Sequence, residues 1–250
     1  IIYEVGNIKK FDVVELLLNM VLELRMNDEQ QTSFEKDRAH LPKKLTGSQA
    51  WYGPDMLRSK TWIYSLSNQD INEINVALNT MGNIDIATIT KEDFQLPNLS
   101  QKLREIQNEV INGRGFALIR GLPIENWSMK QSATAYYGIG MHIGKARSQN
   151  AMGHILGHVR DLGRDAVNDK NARIYQTRER QNFHTDSCDV VSLLCLKTSK
   201  TGGASALVSS MTIYNEMYDR RPDLLRLLFE PFATDRRGEI PEGKKPYFEI

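Results

Sequence analysis

Two short apolar segments on either side of a glycine pair place the strongest constraint on how this chain can fold. The first runs from Asp189 to Leu196 and the second from Ala204 to Ser209, and both have the length and composition of strands. Lys200-Thr-Gly-Gly203 lies between them. Paired glycines supply the backbone conformations that tight hairpin turns require. The pattern therefore predicts a β-hairpin and antiparallel strand pairing.

Helical patterns surround this predicted hairpin. Ser67-Asn-Gln-Asp70 has the form of a capping box and is followed by apolar residues at helical spacing. A second helix is predicted to be capped by Ser100 and closed by Gly113. The remaining predicted elements are a buried strand over Gly115–Pro123, a helix over Met129–Ile143, a helix from Met211 to Tyr218 and a helix restarting at Pro222. The sequence thus indicates a single α+β domain.

The first 49 residues differ in composition from the rest of the chain. The apolar segment Phe11–Met26 contains four charged residues, so it is too short and too charged to span a bilayer. It predicts an amphipathic helix instead. Residues 27–50 are polar and are typical of a linker. We therefore expect an N-terminal helix and a polar linker over residues 1–49, and a domain over residues 50–250.

Charge and cysteine content exclude several classes of protein. Thirty-two basic and 31 acidic residues leave a net charge of +1, which gives no reason to expect nucleic acid or an anionic membrane as a partner. The two cysteines, Cys188 and Cys195, would face opposite sides of a shared strand because their spacing is odd. A secreted scaffold built on disulfides is excluded, and we expect a reducing, cytoplasmic location.

The sharpest chemical signal is Phe183-His-Thr-Asp186. Side chains two positions apart on a strand point to the same side, so His184 and Asp186 could bind one ion. An imidazole and a carboxylate together suit a divalent metal such as Fe(II). The tripeptide alone is weak, because a chain with five histidines and 31 acidic residues can contain it by chance. A hydrogen-bonded surface pair is the alternative interpretation.

Five segments in a fixed order extend this signal. They are Ala50-Trp-Tyr-Gly-Pro-Asp55, Gly113-Arg-Gly-Phe-Ala-Leu-Ile-Arg-Gly-Leu-Pro123, Phe183-His-Thr-Asp186, Gly202-Gly-Ala-Ser205, and Tyr214-Asn-Glu-Met217 with Arg221-Pro-Asp-Leu224. Together, over about residues 50–250, they resemble the taurine dioxygenase/TfdA-like (clavaminate synthase-like) family of 2-oxoglutarate-dependent oxygenases. The resemblance implies a double-stranded β-helix (jelly-roll) core with flanking helices.

The same resemblance implies cofactors and site residues. His184 and Asp186 would be Fe(II) ligands, and the Ser205 hydroxyl would contact the carboxylate of 2-oxoglutarate. The implied reaction consumes dioxygen and 2-oxoglutarate, releases succinate and CO2, and hydroxylates a small organic substrate. Arginines in the polar segment 144–182 could steer a carboxylate- or sulfonate-bearing substrate, and solvated loop charges are an equal alternative.

Two features of the family are missing from the 250 residues. No histidine follows His184, and the late arginine that binds 2-oxoglutarate in relatives is absent. The chain begins at Ile1 and ends at Ile250 within an extended-looking run, so we expect a chain truncated before its last strands. Such a chain is expected to show little turnover of 2-oxoglutarate on its own.

Two alternatives from other functional classes stay open. A non-catalytic relative with an incomplete metal site could serve as a binding module, or could form a homo-oligomer through the Phe11–Met26 helix. A zinc hydrolase would instead use His154, His158 and His184 with Asp186. The glycines beside the first two histidines favour a loop at that position over a metal-binding helix.

Overall fold

The computed structural model describes residues 28–148, 153–165, 168, 172–186, 188–235 and 247–249. The α-helices are α1 (Asp28–Ala39), α2 (Gly53–Ser59), α3 (Asn68–Met81), α4 (Leu99–Ile111), α5 (Met129–Met141), α6 (Ser210–Arg220) and α7 (Pro222–Leu227). The strands are β1 (Ile63–Ser65), β2 (Leu118–Arg120), β3 (Ala233–Asp235) and β4 (Tyr247–Glu249). Short 3-10 helices lie at Ile86–Thr88, Ile124–Asn126 and Ile174–Gln176.

The strands form two separate pairs. β1 and β2 run parallel, with Ile63 opposite Leu118, and β3 and β4 run antiparallel, with Thr234 opposite Phe248. The strand predicted over residues 115–123 is confirmed as β2, in which Leu118 and Ile119 are buried. The described part of the chain is mostly helical, with few strands, so it shows little of the expected jelly-roll sheet.

The predicted hairpin is wrong in this structure. The described residues between 188 and 209 contain no strand. The turn itself forms, because Gly202 and Gly203 adopt φ values of 72° and 70°, and Ser199 Oγ donates a hydrogen bond of 2.7 Å to the Gly202 carbonyl. A strand also needs a hydrogen-bonded neighbour. The apolar run from Asp189 to Leu196 forms no ladder with any described residue.

Helix α3 begins with the predicted capping box. Ser67 Oγ accepts a hydrogen bond from the Asp70 N–H at 3.2 Å, and Asp70 Oδ2 accepts one from the Ser67 N–H at 2.7 Å. Lys102 of α4 adds an ion pair of 2.5 Å to the same carboxylate. Burial alone would raise the pKa of Asp70, but the bonds from Lys102 and Ser67 outweigh burial and hold this pKa below its usual value.

We expect Asp70→Ala to lower the free energy of unfolding by about 2 kcal/mol at neutral pH, because Lys102 and the Ser67 N–H lose their partner. The native pKa is depressed, so the carboxylate contributes stability above its unfolded-state pKa and loses it as the pH falls through the native pKa. Urea unfolding from pH 7 into the acid range measures the difference between the two proteins. A difference that stays constant down to the most acidic pH would contradict this account.

The hydrophobic core lies between α3, α4 and α5. Ile74, Leu99, Leu103 and Phe94 are fully buried within it. The apolar residues of α3 and α4 recur at helical spacing and so face the same interior. Gly138 of α5 lies against the ring of Phe94, where an added Cβ would approach three ring atoms to less than 3.0 Å. The core is therefore closely packed where α5 crosses Phe94.

Helix α4 begins earlier than predicted. Its first residue is Leu99, so Ser100 lies inside the helix and does not cap it. The carboxylate of Glu73, on α3, accepts hydrogen bonds from the backbone N–H groups of Asn98 (3.1 Å) and Leu99 (2.9 Å). A cap supplied by another helix leaves no local signal in the sequence. The helices predicted over residues 129–143, from 211 to 218 and from Pro222 are confirmed as α5, α6 and α7.

Part of the predicted linker is helical. Helix α1 lies within residues 27–50, and Arg38 donates hydrogen bonds to the backbone carbonyls of Tyr218 (2.9 Å) and Asp219 (2.6 Å). These bonds attach α1 to the end of α6. The predicted helix over Phe11–Met26 lies outside the described residues, and the domain boundary near residue 50 stays a prediction.

None of the described helices combines the length and the apolar character needed to cross a membrane.

Candidate metal centre

The His-x-Asp pair lies in an irregular segment. Residues 181–186 follow the 3-10 helix Ile174–Gln176 and form no strand, so the predicted strand placement is wrong. The two side chains nevertheless lie together, with His184 Nε2 3.8 Å from Asp186 Oδ1. This distance is too long for a hydrogen bond. It is short enough for one divalent ion to contact both atoms, since such bonds measure about 2.1 Å.

Contacts within the chain orient the His184 ring. Its Nδ1 lies 2.8 Å from the backbone carbonyl oxygen of Asn182, which can only accept, so Nδ1 carries the proton. The other ring nitrogen, Nε2, lies 3.0 Å from the side-chain amide nitrogen of Gln181. A carbonyl that holds the non-ligating nitrogen is the usual support for a metal-binding imidazole. Gln181 and Asn182 were not predicted from the sequence, because no motif assigns a role to residues at these positions.

Solvent reaches both members of the pair. The side chain of His184 is 46% exposed and that of Asp186 is 53% exposed. Ion pairs with this exposure contribute little to folding stability. Stability alone therefore gives little reason for these two groups to lie together, and their exposure leaves them accessible to a small ion and its ligands.

The Cys188 thiol lies near the same carboxylate. It is exposed. Partial burial raises the pKa of Cys188, and the carboxylates of Asp186 and Asp189 raise it further. These effects favour the neutral thiol over the thiolate at this position. Both Cys188 and Cys195 are free cysteines, as their spacing predicted.

Ser205 follows the Gly202-Gly203 turn in an irregular segment and is half-buried. This segment leads into α6, where Ser209 caps the helix by accepting a hydrogen bond of 3.0 Å from the Thr212 N–H. Thr212 Oγ1 in turn donates a bond of 2.7 Å to the Trp51 carbonyl. The start of α6, just after Ser205, is thereby joined by a direct contact to the first segment of the family resemblance, at residues 50–55.

The other histidines do not gather around this pair. His154 and His158 are exposed in an irregular loop, as the neighbouring glycines predicted. His142 is buried, with Nε2 2.8 Å from the Phe94 carbonyl oxygen. In the part of the chain that the structure describes, no three or more His, Cys, Asp or Glu side chains form a group able to hold a metal. The alternative zinc site of three histidines is therefore not assembled among the described residues.

Comparison with known proteins places this chain in a family. The profile of the taurine catabolism dioxygenase TauD, TfdA family matches residues 82–249, about two thirds of the chain. The chain belongs to the TauD/TfdA family. The matched region contains His184, Asp186 and Ser205, and the resemblance found in the sequence is confirmed.

Two relatives show the extent of the similarity. FR-33289 synthase of Streptomyces rubellomurinus is 30% identical over 211 residues, which cover 83% of this chain and 62% of that protein. A taurine hydroxylase-like protein of Stachybotrys chartarum is 30% identical over 228 residues, which cover 87% of this chain and 58% of that protein. The chain thus spans about three fifths of the length of each of these curated relatives.

Members of the TauD/TfdA family typically use Fe(II) and 2-oxoglutarate and are built on a double-stranded β-helix. The donor set of the pair fits such an ion, because a neutral imidazole with a lone pair on Nε2 and a carboxylate are two of the three ligands in a facial triad. Among the described residues, His184 and Asp186 are therefore the two candidate ligands for such an ion.

Proposed function

We propose that this chain carries part of the active site of an Fe(II)- and 2-oxoglutarate-dependent dioxygenase. The enzyme would hydroxylate a small organic substrate and release succinate and CO2. The observation that carries the proposal is the convergence of His184 Nε2 and Asp186 Oδ1 to 3.8 Å within a chain of the TauD/TfdA family. An exposed pair of this kind contributes little to folding stability, which leaves ion binding as the role that the proposal assigns to it.

Each residue has a defined role in the proposed site. The Asn182 carbonyl holds the proton of His184 on Nδ1 and so leaves Nε2 to bind the ion. Asp186 supplies a negative charge and one oxygen ligand. Bound Fe(II) would supply the redox chemistry with dioxygen. Ser205 would donate a hydrogen bond to the cosubstrate carboxylate, and the exposure of the pair leaves room for the cosubstrate beside it.

A non-catalytic relative is the second candidate. It is favoured by one observation, that the described residues offer two protein ligands and no group of three. The substrate class, a small organic acid or sulfonate, is proposed from the arginines of residues 144–182. Succinate release by the complete protein, with added Fe(II), dioxygen and candidate substrates, separates the two candidates, because only the enzyme couples decarboxylation to a substrate. The present 250 residues alone are expected to show little turnover in either case.

Anaerobic titration tests the proposed site. Addition of 2-oxoglutarate to the Fe(II)-loaded protein is expected to produce a weak visible charge-transfer band, because the keto acid chelates the ion through two oxygens. Fe(II) binding without any such band at saturating 2-oxoglutarate would contradict the proposed cosubstrate. One equivalent of tightly bound zinc and no response to 2-oxoglutarate would favour hydrolysis instead.

We expect Ser205→Ala to weaken binding of 2-oxoglutarate by about tenfold and to leave Fe(II) affinity unchanged, because it removes one charge-assisted hydrogen bond. The charge-transfer band gives both affinities when each component is titrated in turn. Ser210→Ala is the matched control, since Ser210 is exposed at the start of α6. Equal loss in the two variants would contradict the assignment of Ser205.

A further inference from the structure

We infer that Gln181 caps the metal-binding nitrogen of His184, so that an incoming ion must displace the Gln181 amide. The inference rests on the proposed function, in which His184 is a ligand. It adds a residue that lowers the affinity of the site for its ion. Gln181 is exposed and precedes the His-x-Asp pair by three positions.

The hydrogen-bond pattern fixes which atoms meet. A carbonyl oxygen can only accept, so the 2.8 Å contact with Asn182 places the proton on His184 Nδ1. A neutral imidazole has one N–H, and Nε2 therefore presents a lone pair. The Gln181 amide nitrogen, 3.0 Å from Nε2, is oriented to donate to that lone pair. The opposite orientation of the amide would set its oxygen against the same lone pair, which is repulsive.

The cap and the ion compete for one pair of electrons. Nε2 cannot accept a hydrogen bond along the direction in which it binds a metal, so binding breaks the bond to Gln181. Asp186 Oδ1, at 3.8 Å from the same nitrogen, stays available to the ion. The cap therefore opposes loading at His184 while leaving the second ligand free. Because the bond is exposed to water, its net strength is modest, and its loss is worth roughly a two- to tenfold change in affinity.

Removing the cap should therefore strengthen metal binding. We expect Gln181→Ala and Gln181→Leu to bind Co(II) two- to tenfold more tightly than the unaltered chain, in anaerobic titrations followed by the visible bands of Co(II). Damage to the fold would weaken binding, so an increase separates a cap from a structural role. Gln95→Ala is the matched control, because it removes an exposed glutamine that lies outside residues 181–186, and the affinity of that variant should stay unchanged.

A second readout avoids the metal. In 15N spectra of the imidazole groups, the metal-free Gln181→Ala protein should keep the proton of His184 on Nδ1 and show a shifted Nε2 resonance. Unchanged or weaker Co(II) affinity in both Gln181 variants would overturn the inference, as would an unchanged Nε2 resonance. His184→Ala distinguishes a failure of the proposed function from a failure of the proposed cap. If it binds Co(II) as well as the unaltered chain, the proposed function fails. If it loses the ion while Gln181→Ala shows no gain, the cap alone is wrong.

Discussion

Replacing Gly138 with alanine is expected to lower the free energy of unfolding by about 2 kcal/mol, which reverses the usual effect of this substitution in a helix. A glycine inside a helix normally costs about 1 kcal/mol relative to alanine. At position 138, however, the new methyl group would lie less than 3.0 Å from three ring atoms of Phe94. That ring is fully buried and cannot move aside without disturbing the core.

Gly140 provides the matched control, because it lies in the same helix and nothing is within 4 Å of the position of its added Cβ. Gly140→Ala is expected to raise the free energy of unfolding by about 0.5–1 kcal/mol. Urea unfolding followed by circular dichroism measures both variants. The Phe94→Leu, Gly138→Ala double variant should lose less stability than the sum of the losses in the two single variants, because the smaller side chain leaves room for the new methyl group. Equal stabilisation by both alanines would show that Phe94 does not pack against Gly138 as described.

Replacing His184 with alanine is expected to lower the affinity for Fe(II) by more than about 100-fold. Loss of a group that merely orients a ligand already costs 10–100-fold, and His184 is proposed as a ligand itself. Asp186→Asn should also weaken binding, because it keeps the shape of the side chain and removes its charge. Neither change should affect folding, since both side chains are about half exposed. Anaerobic equilibrium dialysis with Fe(II) measures the affinities.

His158→Ala is the control for this experiment. His158 is exposed in a separate loop and is expected to be irrelevant to the ion. A loss of affinity in His158→Ala equal to that in His184→Ala would favour the alternative zinc site built from several histidines. Full affinity in His184→Ala would remove the metal centre from residues 181–186 altogether.

The sequence predicted best those elements whose signals are local. The capping box at Ser67 and the proline that begins α7 each depend on residues within one helical turn, and both are present. The start of α4 was misplaced because its cap is the Glu73 carboxylate, 25 or more residues away. The predicted hairpin is absent for a similar reason. The apolar pattern and the turn glycines are both present, but a strand also needs a hydrogen-bonded partner. The pattern does not show which segment of the chain supplies that partner.

The candidate site was predictable in part. The spacing of His184 and Asp186 indicated that they could converge, and their atoms do lie 3.8 Å apart, although the strand assumed in that argument is absent. The contacts of Gln181 and Asn182 were not predictable, because they depend on how an irregular loop folds back on itself. Ser205 was identified through the family resemblance, and its role stays a prediction.

The central claim, that His184 and Asp186 hold the same ion, is tested most directly by pulsed electron paramagnetic resonance of bound Mn(II). We expect a coupling from one directly bound imidazole nitrogen in the unaltered chain. This coupling should disappear in His184→Ala and persist in His158→Ala. A nitrogen coupling that survives in His184→Ala, or that is absent from the unaltered chain with Mn(II) bound, would contradict the account.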